Sequence, residues 1–207
     1  MKRISIFLLV LLYSVTGALY AQNNSVLNTL YQRFDTSSVT MEFTYAIKVS
    51  GVNSTGNGTV TYQDGAYVMK GNGLQVNCDT KTVWLIDPAG KEVIIETPAQ
   101  GEKSYLDNPA LLLVDLTDAF TVSGVTCSDS LYTYSLLPKV DCGVKSAKVS
   151  ILSQQSPVLS SASFILSDGG ELSIKIKSMT FSEKKPLTSF IYDISVLDSS
   201  WLITDLR

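Results

Sequence analysis

Residues 39–49 read Val39-Thr40-Met41-Glu42-Phe43-Thr44-Tyr45-Ala46-Ile47-Lys48-Val49. Val39, Met41, Phe43, Tyr45, Ile47 and Val49 are apolar. Thr40, Glu42, Thr44 and Lys48 between them are polar. Side chains of an extended chain alternate between two faces, so a period of two marks a strand with one buried and one wet face. Strands of that kind belong to antiparallel sheets, and this one sets the fold class.

Upstream of it, Val26, Leu27, Leu30, Tyr31 and Phe34 recur at helical spacing. They predict one face of a short amphipathic helix near residues 24–34. Downstream, residues 53–58 are rich in Asn, Ser, Thr and Gly and read as a turn. Val60 and Tyr62 alternate up to Asp64-Gly65, and Tyr67 and Met69 alternate after it. Both turn residues tolerate the left-handed backbone, so this is a hairpin. Further turns at 71–73, 87–90 and 167–170 space out more alternating runs, and 190–196 and 201–206 read as closing strands. The total is roughly eleven strands, a number that curls rather than staying flat. Between them, Asn108-Pro109 supplies an N-cap and a first-turn proline for a helix over 109–119. Leu111, Leu112, Leu113, Val114, Leu116 and Phe120 make it apolar around most of its girth, with Asp115 and Asp118 on a narrow edge. Such a helix fills a core or covers an apolar cavity. The expected fold is mainly β with some α: a curved antiparallel sheet forming an incomplete barrel, its open side covered by helices. No linker or composition break divides residues 22–207, so they form one domain.

The composition narrows the function. Of 207 residues, 45% are hydrophobic and 17% charged, the balance of a folded chain rather than a solvated one. Histidine is absent, which removes Ser-His-Asp and Cys-His catalysis and the commonest zinc sites. The net charge of −3 carries no basic stripe, so nucleic acid is not an expected partner. Asp64, Asp87 and Asp168 sit in turns, where aspartate serves local hydrogen bonding rather than acid–base chemistry. No metal or cofactor motif is present.

Residues 1–21 have the layout of an export signal. Lys2 and Arg3 precede an apolar run at 4–12, and small residues lead to Ala21. The run is too short to span a bilayer. Cleavage after Ala21 sends the protein to an oxidising compartment. There Cys127 and Cys142 either pair across a short loop or, with Cys78, remain small buried hydrophobes.

Several residues in order also resemble a family. The amphipathic helix is followed by Val39-Thr40-Met41-Glu42-Phe43-Thr44, then Gly58-Thr59-Val60-Thr61-Tyr62, with Tyr67 across the hairpin. Next come 76–84, which end in Trp84, then Lys91-Glu92-Val93-Ile94-Ile95, Asn108-Pro109, Pro157, Ser167-Asp168-Gly169-Gly170 and Phe190. Over nearly the whole exported chain this resembles the outer-membrane lipoprotein carrier proteins (LolA), in a divergent form found in Bacteroidetes. The resemblance implies a periplasmic carrier that is not an enzyme and has no cofactor. It would shield lipoprotein acyl chains between an inner-membrane lipoprotein-releasing transporter and an outer-membrane acceptor. Two positions depart from the pattern. The family's Arg-Pro, which ties the lid closed, is Asp64-Gly65 here. Its Trp-x-Tyr-Asp is Trp84-Leu85-Ile86-Asp87. The residues expected to line an acyl cavity are Met41, Phe43, Tyr45, Val60, Tyr62, Tyr67, Met69, Trp84, Leu112, Leu116 and Phe120. Two other readings fit the same alternation: a structural or adhesive exported β-protein with a solid core, and a lipid or lipoprotein sensor of the same fold.

Overall fold

The structure is a computed structural model and describes residues 25–98 and 119–207. The expected signal segment and most of the helix expected at 109–119, including Leu112 and Leu116, lie outside the described residues. Helix α1 covers residues 25–36. Twelve strands follow: β1 (Ser38–Val49), β2 (Val52–Gln63), β3 (Ala66–Gly71), β4 (Leu74–Cys78), β5 (Val83–Asp87), β6 (Glu92–Glu96), β7 (Phe120–Ser128), β8 (Leu131–Pro138), β9 (Val144–Leu152), β10 (Val158–Leu166), β11 (Glu171–Ser182) and β12 (Leu202–Asp205). They form one open sheet in the order β12-β6-β5-β4-β3-β2-β1-β11-β10-β9-β8-β7. The curved, incomplete barrel read from the alternation is the architecture observed.

Three details differ from the sequence reading. Residues 53–58 are not a turn but the first half of β2, paired with β1 from Val49↔Val52 onward. The reversal falls at Ser50 and Gly51, with φ of 49° and 81°. The glycines of that stretch serve packing. A Cβ on Gly58 would come within 2.9 Å of the Phe43 ring, so glycine there makes room for an aromatic from the neighbouring strand. The second difference is at 187–196, which makes two 3-10 turns, Leu187–Phe190 and Ile194–Val196, rather than a strand. Third, β12 does not continue the antiparallel meander: it pairs parallel with β6, from Leu202↔Glu92 to Asp205↔Ile95. Its route across the sheet makes this possible, because the chain between β11 and β12 reaches the opposite edge before it pairs.

The two faces of the sheet have separate cores. On the inner face, Leu27, Leu30 and Phe34 of α1 bury against Val39, Met41, Phe43, Val60, Tyr134, Val149, Phe164, Leu172 and Ile174. On the outer face, Trp84, Ile86, Val93 and Ile95 make a smaller cluster with Tyr192, Leu197 and Trp201 of the C-terminal segment.

Helix α1 is tied at both ends. The Tyr134 hydroxyl, on β8, is hydrogen-bonded to the Leu27 backbone in the first helical turn, where N–H groups lack intrahelical partners. Burial pushes that phenol up to about 12, and the bond to Leu27 pulls the other way. At the other end the Arg33 guanidinium lies 3.6 Å from the centre of the Phe181 ring and donates to the Pro157 carbonyl at 3.3 Å. Phe34 meets the same Phe181 edge-on, with ring centres 6.0 Å apart. Replacing Arg33→Ala removes the stacked cation and one hydrogen bond. It is expected to cost about 1 kcal/mol in urea unfolding, with the far-UV spectrum of the folded protein unchanged.

The register overturns the pairing of Cys127 with Cys142, and the alternative of three buried thiols holds for Cys78 alone. Cys127 faces Tyr132 beside the β7–β8 turn, while Cys142 follows the far end of β8, where Phe120 faces Pro138. Strand residues advance about 3.3 Å each, so the two ends are about 20 Å apart. A disulfide needs Cα atoms within about 7 Å. The intramolecular bridge is therefore ruled out, and all three cysteines are free. Cys78 is buried, and burial pushes its thiol up. Cys127 is exposed. Iodoacetamide is expected to label Cys127 quickly in the native protein and Cys78 only after unfolding, read by peptide mass mapping. Equal labelling rates would contradict the burial of Cys78.

Candidate functional site

The inner face presents in-register rows of apolar side chains. One row runs from β1 to β6 through Met41, Val60, Met69, Val76, Leu85 and Ile94. Its environment changes along the way. Met41 and Val60 are 0% and 1% exposed, Met69 and Val76 are half-buried, and Leu85 is 38% exposed. At the β4–β6 end, Leu74, Val76, Leu85 and Ile94 line an open groove of about 180 Å³. Two-residue reversals at Asp64-Gly65 and Asn72-Gly73 keep this row aligned, because each fixes one register between its strands.

The residues expected to line a cavity divide as follows. Met41, Phe43, Val60, Tyr67 and Phe120 are buried in the inner-face cluster, and Tyr45, Tyr62 and Met69 pack against it partly buried. These eight are brought together. Trp84 is not among them. It pairs with Asn77 and Ile95 and faces outward, on the side opposite Met41 and Val60. The alternation along that strand runs one residue out of phase with the sequence reading. The loop between Cys78 and Val83 pairs those two residues and so turns Trp84 away. Leu85 takes the inner position instead. The groove residues Leu74, Val76, Leu85 and Ile94 do not stand out in the sequence. The hairpin registers hold the signal, since Met69 paired to Val76 leads by strict alternation to Leu85 and Ile94.

What the inner face offers a partner is apolar surface. Among the described residues, no three His, Cys, Asp or Glu side chains gather where they would hold a metal ion. Seven aspartates close turns with their own carboxylates: Asp79, Asp87, Asp141, Asp168, Asp193, Asp198 and Asp205 each accept a backbone N–H two or three residues on. Hydrogen bonds from Ser195 and Ser200 hold the Asp193 and Asp198 carboxyls below the usual range. Hydrogen bonds from Arg207 lower Asp205 to about 2.

No family model matches the sequence, and no curated protein matches it. Solved structures do share its shape. A DUF1329 family protein from Desulfovibrio piger aligns at 11% identity and a TM-score of 0.48, over 86% of this chain and 98% of its own. A LolA superfamily protein from Nitrosomonas europaea aligns at 11% identity and a TM-score of 0.45, over 82% and 97%. A conserved protein from Thermus thermophilus aligns at 8% identity over 98% of its own length. With a TM-score of 0.54 over 88% of this chain, the Thermus protein identifies the curved open sheet as a fold that this chain shares with a solved protein.

Proposed function

We propose that this protein is a non-catalytic carrier that shields acyl chains on the inner face of its sheet, in the manner of the lipoprotein carriers its sequence resembles. The observation that carries the reading is the apolar row from Met41 to Ile94, which leaves the closed core and ends in an open apolar groove. A flexible hydrocarbon chain matches a lane of this kind: narrow, apolar and open at one end. Each methylene removed from water stabilises the bound state by about 0.8 kcal/mol, so a short buried length gives useful but reversible affinity. At the inner margin of the groove stands the half-buried Met69, paired with Val60 and Val76. Unbranched methionine side chains adapt to a chain of variable position. In this reading the cargo is a lipoprotein, the compartment is the periplasm, and a membrane transporter and an outer-membrane acceptor stand at either end of the route.

The test is titration of the full chain with a fluorescent fatty acid, followed by competition with a triacylated lipopeptide. Saturable binding of the probe and its displacement by the lipopeptide are expected. If neither ligand binds, the carrier reading fails and the structural β-protein with a solid core takes its place.

A further inference from the structure

The outer face carries a concavity beneath the C-terminal segment, separate from the inner-face groove. After β11 the chain crosses this face and is pinned there by buried amides. Gln63, 3% exposed, donates to the Lys185 carbonyl at 2.8 Å and accepts from the Lys185 N–H at 2.7 Å. Asn77, 4% exposed, donates to the Phe190 carbonyl at 3.1 Å. Between this crossing segment and strands β2 and β3 lies a pocket of about 330 Å³. That size falls within the range of small-ligand sites.

Its lining is chemically one-sided. Lys70 comes from β3 and Lys185 from the crossing segment, and the hydroxyl-bearing Thr59, Thr61 and Ser189 line the same space. Val68 and the buried Phe190 supply the apolar part. Neither lysine ammonium has an ion-pair or hydrogen-bond partner among the described residues. The neighbouring carboxylates do not compensate. Asp64 is held by Lys184, both oxygens at 2.7 Å. Glu42 lies beside Thr59 on β1, two strands from Lys70, or roughly 10 Å at the usual strand spacing. The pocket walls are also positioned in advance. The Lys185 backbone is fixed on both sides by Gln63, and the Thr61 hydroxyl sits 3.0 Å from that of Thr40.

We propose that this pocket binds a phosphate monoester group. Two ammonium charges match the near-dianionic charge of a phosphate monoester at neutral pH. Ammonium and hydroxyl donors arranged around one space suit a tetrahedral group with several acceptor oxygens better than a carboxylate with two. The volume exceeds that of the phosphate alone, so Val68 and Phe190 face the carbon portion of the ester. The same chemistry is offered by a free small phosphate and by a lipid headgroup.

The experiment is isothermal titration of the full chain with inorganic phosphate and with glycerol 3-phosphate, alongside flotation with phosphatidic acid vesicles. Saturable binding at one site is expected, weakening as salt is raised. Lys70→Gln and Lys185→Gln are each expected to weaken it about tenfold, as for loss of a charged hydrogen bond. Both side chains are exposed, so melting should not change, and fatty-acid probe binding on the other face should not change either. Lys175→Gln, on the outer face of β11, serves as the control and should leave phosphate affinity unaltered. Vesicle flotation that Lys70→Gln abolishes assigns the headgroup as the source; binding of the soluble phosphates without flotation assigns a free phosphate. The proposal is overturned if the wild type shows no saturable phosphate binding at millimolar concentration. It is equally overturned if Lys175→Gln weakens binding as much as Lys70→Gln does, since the attraction would then be diffuse surface charge.

Discussion

Met41→Glu is expected to prevent folding, whereas Leu85→Glu, in the same row of the same face, is expected to fold. Met41 is 0% exposed and lies in the cluster that α1 covers. A carboxylate there either remains charged without a partner or is protonated at the cost of a large pKa shift. Either route costs several kcal/mol. Total stability of a domain is about 5–15 kcal/mol, so the loss is a large fraction of it. Leu85 is 38% exposed at the edge of the groove, where a carboxylate reaches water. Its melting temperature should stay within a few degrees of wild type, while affinity for the fatty-acid probe falls about tenfold or more with the loss of apolar contact. Circular dichroism melts and probe titration read the two effects separately. A Met41→Glu protein that folds normally would show that the middle of the row faces a solvent-filled space, and would contradict the close packing beneath α1.

The second large effect concerns the C-terminal segment. Trp84 is 7% exposed and anchors the outer-face cluster with Tyr192, Leu197 and Trp201. Trp84→Ala should cost about 3–5 kcal/mol, the usual range for deleting a buried aromatic side chain. The loss should be local. Gln63 and Asn77 still hold the backbone of Lys185 and Phe190, but beyond Phe190 the segment would rely on the short β12–β6 ladder and on the hydrogen bonds of Ser200 to Lys91 and Arg207 to Thr82, without the packing that Trp84 provides. Limited proteolysis is expected to clip the variant between Ile191 and Trp201 while the remainder survives, with a separate low-temperature step in the melt. One cooperative transition with wild-type protease resistance would show that β12 pairing alone holds the segment.

The inner-face groove and the outer-face pocket depend on different parts of the chain. The first needs the alternation of β1 to β6, and the second needs the crossing segment laid over β2 and β3. Met41, Phe43, Val60 and Ile174, all 3% exposed or less, form a closed core under α1 in the manner of an ordinary β-protein. The open groove at Leu74 and Leu85 departs from that pattern, and the carrier reading rests on it.

Much of the architecture was legible in residues close together in sequence. The period of two at 39–49, the helical spacing from Val26 to Phe34 and the Asp64-Gly65 reversal each express a preference that a few neighbouring residues settle. The curved antiparallel sheet and the inner placement of Met41, Phe43, Val60 and Tyr67 follow from them. What the sequence did not settle was non-local. Gly56 and Gly58 look like turn residues until Tyr45 and Phe43 of the adjacent strand are seen to fill the space a Cβ would take. Trp84 and Leu85 differ by one position along the chain but by a whole sheet face, and the Cys78↔Val83 pairing decides between them. The parallel pairing of β12 with β6, and the pocket roofed by Lys185 and Phe190, arise because the last residues cross the sheet. Their partners are 109 to 125 residues away in the chain, as in Lys91 with Ser200 and Thr82 with Arg207. Local propensity carries no information about such contacts, because their free energy exists only once both strands are in place.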